Sequence, residues 1–313
     1  MRGFLTNLVI FIVMGCGWYM RRSGRITAVG LKELNALLFV LLMPLGFFKA
    51  GLGFDASTIR GWRFPSVLIG GYVAATAVAW VLAGMRHTTP ERRAVAILTA
   101  VRPNAIFVGL SVISLWLGQA GAEAQMLFVA VGMPYFNLVP LLLAQFALSG
   151  RTDGRTFLNA LARTVRNPIL LAGAAGILIG AAGWTPLLPD WSMRVVEVLG
   201  NCGNGMSLLA IGAALAPEKL LRDIRSAWPD MLMKLFIHPA VVMLAFVLFP
   251  VENPVLMRVA VVASAVAPAF NCYVLAGGFG MDSDYAAVLV ASSTLLCLLT
   301  LLFWMSVASS VFV

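Results

Sequence analysis

Ten runs of apolar residues follow one another along the chain, each closed by a short polar break. They fall near 3–20, 33–53, 64–84, 93–118, 123–148, 168–184, 194–216, 229–249, 256–280 and 284–311. A helix needs about 20 apolar residues to cross the hydrocarbon core of a bilayer. Stretches such as 37–45 and 295–304 are apolar on every side. Strands of a membrane barrel would instead alternate apolar and polar residues. Each run therefore predicts a transmembrane helix. The breaks carry turn chemistry: the second run ends near Asp55, Phe64-Pro65 opens the third, and 119–123 separates the fourth from the fifth. Pro186 and Pro189 lie between the sixth and the seventh.

Composition agrees. Of 313 residues, 61% are hydrophobic and 11% charged, against about 25% charged in a soluble domain. Soluble, disordered and disulfide-scaffold classes are excluded. Twenty-two Lys and Arg against 13 Asp and Glu give a formal charge of +9. These basic residues sit mostly between apolar runs, so they read as topology signals and not as a nucleic-acid surface. The loops after odd-numbered spans hold fourteen of them, among them Arg21, Arg92, Arg151 and Lys219, against five on the other side. The positive-inside rule then places both termini outside a multi-pass protein of the cell membrane. The acidic loop at 280–284 is an exception that carries little weight under that rule. Arg2 precedes the first run, while Arg21, Arg22 and Arg25 follow it with no A-x-A site, so the first span is expected to be retained.

Three basic residues fall inside spans. Lys49 and Lys234 lie near span ends and are expected to snorkel. Arg102 is about ten residues from either end of its span and has no such escape. Cys16, Cys202, Cys272 and Cys297 form no CxxC pair and read as packed thiols. The sequence lacks HExxH, Walker A and GxSxG motifs and holds two histidines, His87 and His238. Neither an enzyme nor a bound cofactor is expected.

The longest loop, 150–166, straddles the chain midpoint with five spans on each side. Five is odd, so related halves would have inverted topology. This divides the chain into 1–150, a cytoplasmic loop at 151–167, and 168–313.

The fourth span of each half carries the same interruption. The first reads Arg102-Pro103-Asn104, the second Pro268-Ala269-Phe270-Asn271, with the two prolines 165 residues apart. A mid-helix proline removes a donor and clashes with the preceding turn. Within a membrane such a break needs a protein-lined or wet cavity. Each break also creates a half-helix N-terminus with free N–H groups, for which an anion such as a carboxylate is the natural partner. Arg102 adds a formal charge, and Asn104 and Asn271 can cap or donate. Two ordinary proline kinks are the bland alternative. Asn137, and Ser293 and Thr294 beside Ser292, lie mid-span in the two halves, where interhelical hydrogen bonding explains them as well as ligand contact does. Gly200, Gly203, Asn204 and Ser207 read as a packing stripe, and His238 as an interhelical histidine or a proton carrier. All 13 acids lie in loops or near span ends, which weighs against a buried carboxylate relay.

At these residues the sequence resembles the auxin efflux carrier family, which includes plant PIN-type carriers and bacterial malonate-type permeases. The likeness rests on Arg102-Pro103-Asn104 with Gly109, Arg166-Asn167-Pro168, the run 208–215, Lys234 with His238-Pro239, 267–271 with Ala276, and 292–294 with Thr300. It implies an all-α fold of ten transmembrane helices in two inverted five-helix repeats, like the bile-acid sodium symporter fold. Helices 4 and 9 would be broken and crossed. Helices 1, 2, 6 and 7 would form a scaffold, and helices 3–5 and 8–10 a mobile core. The substrate would sit at the crossover and move by an elevator-type mechanism. The short central loop is similar to the bacterial branch, associated with malonate, malate and other small carboxylates. The function expected is secondary transport of a small organic anion, with an anion channel or a membrane ligand sensor as the alternative. The expected substrate-binding set is Arg102, Pro103, Asn104, Asn137, Pro268, Asn271, Ser293 and Thr294. Coupling to Na+ or H+ and a homodimer through the scaffold helices stay open.

Overall fold

The computed structural model describes residues 2–53, 61–86, 89–149, 155, 158–159, 162, 166, 168–214 and 217–312. Asp55, Arg60, His87, Arg151, Arg163, Asn167 and Leu215 lie outside the described residues, as does most of the expected loop at 151–167. Among the described residues the fold is all-helical, without strands.

Helix α1, Arg2–Arg22, stops where Gly24 takes a positive φ of 74°. That is the left-handed conformation glycine adopts without steric cost. Helix α2, Ala28–Leu37, starts earlier than the apolar run suggested, because the Thr27 hydroxyl accepts from the Gly30 N–H at 2.9 Å. A π turn, Leu38–Leu42, joins it to α3, Met43–Leu52. Then come α4, Arg63–Arg86, and α5, Pro90–Ala100. After a break at 101–104, a π turn, Ala105–Gly109, leads into α6, Leu110–Leu148.

Inside α6, Gly118 has φ 63° and ψ −145°, a region open essentially to glycine alone. The separation expected at 119–123 is therefore a sharp turn on one glycine and not a polar loop.

The second half begins with α7, Pro168–Ala181, and α8, Asp190–Ala214. Helix α9, Pro217–Leu232, runs through a π turn, Met233–Ile237, into α10, His238–Leu248. Lys219, Arg222 and Arg225, expected in a loop, thus lie on a helix. Helix α11, Pro254–Ala265, is capped by Asn253, whose side chain accepts from the Val255 N–H at 2.9 Å. After a break at 266–270 come α12, Asn271–Gly278, and α13, Ser283–Val311.

Among the described residues five stretches are long and apolar enough to cross a membrane: Ala28–Lys49, Arg63–Arg86, Val112–Leu148, Asp190–Ala214 and Ile224–Leu248. Ser283–Cys297 with Leu299–Val311, bent by 55°, makes a sixth. The ten apolar runs do not all appear as long helices. The breaks divide two of them, leaving α5, α11 and α12 with 11, 12 and 8 residues.

Helix α3 packs on α7 and α8, and α1 packs on α8. The approach is close because glycines meet backbone. A Cβ on Gly200 would lie 3.1 Å from Gly46 Cα, and one on Gly203 3.1 Å from the Leu42 carbonyl. The stripe of Gly200, Gly203 and buried Ser207 is a packing surface, as expected. Helices α4 to α6 and α9 to α13 form the deeper core. Helix α4 packs on α5 and α10, α6 on α5 and α11, and α13 on α9, α11 and α12. At one end of this core Arg86 pairs with Asp230 at 3.0 Å, and Tyr285 donates to the same carboxylate at 2.5 Å. Nearby, Arg92 pairs with Asp282 at 3.0 Å.

Candidate functional site

The two breaks meet. Pro103 and Pro268 form an isolated antiparallel bridge. The Asn104 N–H donates to the Ala267 carbonyl, and the Ala269 N–H to the Arg102 carbonyl, both at 2.9 Å. The reason is a matter of satisfying polar backbone. Residues that leave a helix away from water must find partners elsewhere, and each break supplies the other's. Further support comes from Cys297, expected only as a packed thiol, and from Gln125, which the sequence did not single out. The Ala267 N–H donates to Cys297 Sγ at 3.3 Å, and Gln125 Nε2 donates to the Ala105 carbonyl at 2.7 Å. Gly109, beside this amide, has no room for a side chain: a Cβ there would lie 2.8 Å from Gln125 Nε2.

Arg102 follows the C-terminal end of α5 and is only 2% exposed. Its Nε donates to Asn271 Oδ1 at 3.3 Å, and its Nη2 to Asn137 Oδ1 at 2.8 Å. Its Nη1 donates to the carbonyls of Phe136 at 3.1 Å and Asn137 at 3.4 Å. Every one of these acceptors is neutral. Among the described residues no carboxylate pairs with this guanidinium. A buried charge held only by dipoles attracts a counter-charge.

The bridge borders a cavity of about 120 Å³. Arg102, Pro103, Asn104, Asn137 and Asn271 line one part of it; Leu42, Met43, Phe47, Val129, Met133 and Phe136 make the rest apolar. Asn104 is buried, and its Nδ2 has no partner among the described residues. An orphaned buried donor is costly unless something fills the cavity beside it. A second cavity, of about 240 Å³, lies between α6 and α7 and shares Phe47, Met133 and Asn137 with the first.

Six of the eight expected site residues are thus placed around one bridge: Arg102, Pro103, Asn104, Asn137, Pro268 and Asn271. Ser293 and Thr294 are buried in α13 and do not line the cavity. The Thr294 hydroxyl donates to the Val290 carbonyl of its own helix at 2.6 Å. The sequence missed the apolar wall from α3 and its preceding π turn, because a helix face turned toward a cavity looks like any packed face.

Lys234 does not snorkel. It is 1% exposed, donates to the Ser264 carbonyl at 2.8 Å and lies 3.2 Å from His238 Nδ1. Ser264 lies in the last turn of α11, where the helix ends at Ala265 and its carbonyl has no helical N–H to accept from. Tyr72 and Ser264 share a hydroxyl contact at 3.1 Å, and Thr76 and Tyr135 one at 2.9 Å. His238 is therefore held between helices, packed against the Tyr72 ring at 4.6 Å.

A cavity with one cation, several amide donors and apolar walls suits a small anion. Among described residues no group of three or more His, Cys, Asp or Glu side chains is placed to hold a metal ion. The chain is 23% identical over 300 residues to a protein of Rhizobium meliloti (strain 1021) named "Putative malonate transporter", covering 95% of this chain and 93% of that one. The model of the membrane transport protein family matches residues 4–152 and 155–305. Broken apolar helices, a crossover that satisfies its own backbone and a match along nearly the whole chain lead to one conclusion: the chain belongs to the membrane transport protein family, that of the auxin efflux carriers.

Proposed function

We propose that this protein is a secondary transporter for a small organic anion, a mono- or dicarboxylate of the malonate type. One observation carries the reading: among the described residues the buried Arg102 guanidinium meets only neutral acceptors and borders a cavity where Asn104 Nδ2 has no partner. A bound carboxylate supplies the missing charge to the first and the missing acceptor to the second. Asn137 and Asn271 orient the guanidinium, while Pro103 and Pro268 keep the backbone open around it. Ser293 and Thr294 enter only if the core rearranges.

The same proposal includes ten spans in two inverted repeats, 1–150 and 168–313, joined by the loop at 151–167. Pairwise packing supports the symmetry. Exchanging the halves turns the α1–α8 contact into the α3–α7 contact, turns α6–α11 into α5–α13, and maps α4–α10 onto itself. Spans 1, 2, 6 and 7 would then be the scaffold and the rest the moving core. The cavity supports this division, since Gly46, Phe47 and Gly200 face it from the first group and Arg102, Asn104 and Asn271 from the second. Sliding of one group past the other gives elevator-type alternating access. Topology follows the basic loops: cell membrane, both termini outside, with any homodimer made through the scaffold.

The test is counterflow in proteoliposomes. Vesicles preloaded with unlabelled malonate should take up labelled malonate faster than empty ones, because a carrier exchanges at its site. Conduction without counterflow would replace the carrier with an anion channel. Binding without any flux would leave a ligand sensor. Repeating uptake under a Na+ gradient, a proton gradient and neither separates the coupling modes.

A further inference from the structure

We infer that Pro140 is a positioning residue for the anion site, acting through the guanidinium of Arg102; the inference rests on the carrier reading above. In a regular helix the Phe136 carbonyl would accept the N–H four residues on. That residue is Pro140, which has none. The freed carbonyl accepts from Arg102 Nη1 at 3.1 Å instead. Asn137, in the next position, holds the same guanidinium through its own carbonyl at 3.4 Å and through Oδ1 to Nη2 at 2.8 Å. One turn of α6 thus grips both terminal nitrogens, and Asn271 grips Nε at 3.3 Å. Nη2 has two N–H groups and a single acceptor among the described residues, and Arg102 lines the cavity, so one N–H is available to a ligand there.

Two features separate this from an ordinary kink. Pro140 is buried and does not line the cavity, so its effect on a ligand must pass through another group. A second buried cation is held in a related way: the Ser264 carbonyl, left open in the last turn of α11, accepts from Lys234 at 2.8 Å. In each case a helix carbonyl without a helical partner becomes an acceptor for a buried cation, and at Phe136 it is the proline inside the helix that frees it. Fixing the fork before the ligand arrives removes the cost of ordering it on binding.

The experiment is a double-mutant cycle on the purified full-length chain in detergent. Its first readout is the melting temperature without ligand, for the wild type, Pro140→Ala, Arg102→Met and the double variant. With Pro140 in place, loss of Arg102 orphans the Phe136 carbonyl. In the Pro140→Ala variant, the restored helix bond satisfies that carbonyl. Arg102→Met should therefore lower the melting temperature by about 3 °C more in the wild-type background than in the Pro140→Ala background. Additive shifts overturn the inference, whatever the substrate, and Arg102→Gln repeats the cycle should the methionine variant not fold. The second readout is malonate. Pro140→Ala should weaken its binding about tenfold, the loss of one hydrogen bond to a charged group, with a maximal transport rate within about twofold of wild type. Unchanged affinity in Pro140→Ala also overturns the inference. If the wild type binds no carboxylate, the carrier reading fails instead, and the melting cycle still decides the role of Pro140.

Discussion

Replacing Arg102 with Gln keeps a planar polar side chain in the crossover and removes a formal charge that, among the described residues, lines the cavity alone. The effect on an anion can be sized. A carboxylate in contact with the guanidinium puts two unit charges about 4 Å apart, and an effective dielectric of about 20 gives an attraction of about 4 kcal/mol. Arg102 is 2% exposed, so little water screens it. Losing that attraction weakens anion binding by about a thousandfold. Stability should change far less. The substitution strips a donor from Asn271 Oδ1, Asn137 Oδ1 and the Phe136 carbonyl. It also relieves the desolvation of a buried cation, a term of similar size and opposite sign. Titration of the purified variant with malonate by calorimetry, beside its thermal melt, checks both halves. A dissociation constant within about threefold of wild type, in a variant that melts normally, would show that the substrate never meets Arg102.

Two further outcomes follow from packing. Gly212→Val should destabilise the protein by about 3 kcal/mol, because its Cβ would run into the Met14 backbone. Gly15→Val, where nothing lies within 4 Å, should be nearly neutral; equal melting temperatures for the two would remove the α1–α8 contact. Lys234→Met should cost about 2 kcal/mol by orphaning the Ser264 carbonyl and His238 Nδ1. Lys49→Met, from an exposed pair with Glu197, should cost under about 1 kcal/mol, and the reverse order in a thermal melt would contradict the burial of Lys234.

Much of the architecture was legible in the residues. The apolar runs predict helices, and the prolines matched between the halves, each with a nearby asparagine, predict two breaks, although a proline alone does not end a helix, since α6 runs on through Pro134 and Pro140. The expected packing stripe at Gly200 and Gly203 also follows from local chemistry, since only small residues let two backbones approach. Other features were hidden. Nothing near Lys234 in the chain says that it turns inward, because its partner carbonyl belongs to Ser264, thirty positions away. The polar run at 119–123 looks like the place to turn, yet the conformation is set one residue earlier, at Gly118.

By itself the sequence determined that this is an apolar, helical chain, broken once in each half beside an asparagine and, in the first half, a cation. Those are consequences of hydropathy and of proline's covalent structure, which need no neighbours. Only the tertiary structure decided that the breaks bond to each other, that a turn of α6 grips Arg102, and that Ser293 and Thr294 stand away from the cavity. Hydrogen bonds between residues more than thirty or a hundred and sixty positions apart are fixed by how helices pack, and one chain's order of letters does not record that distance.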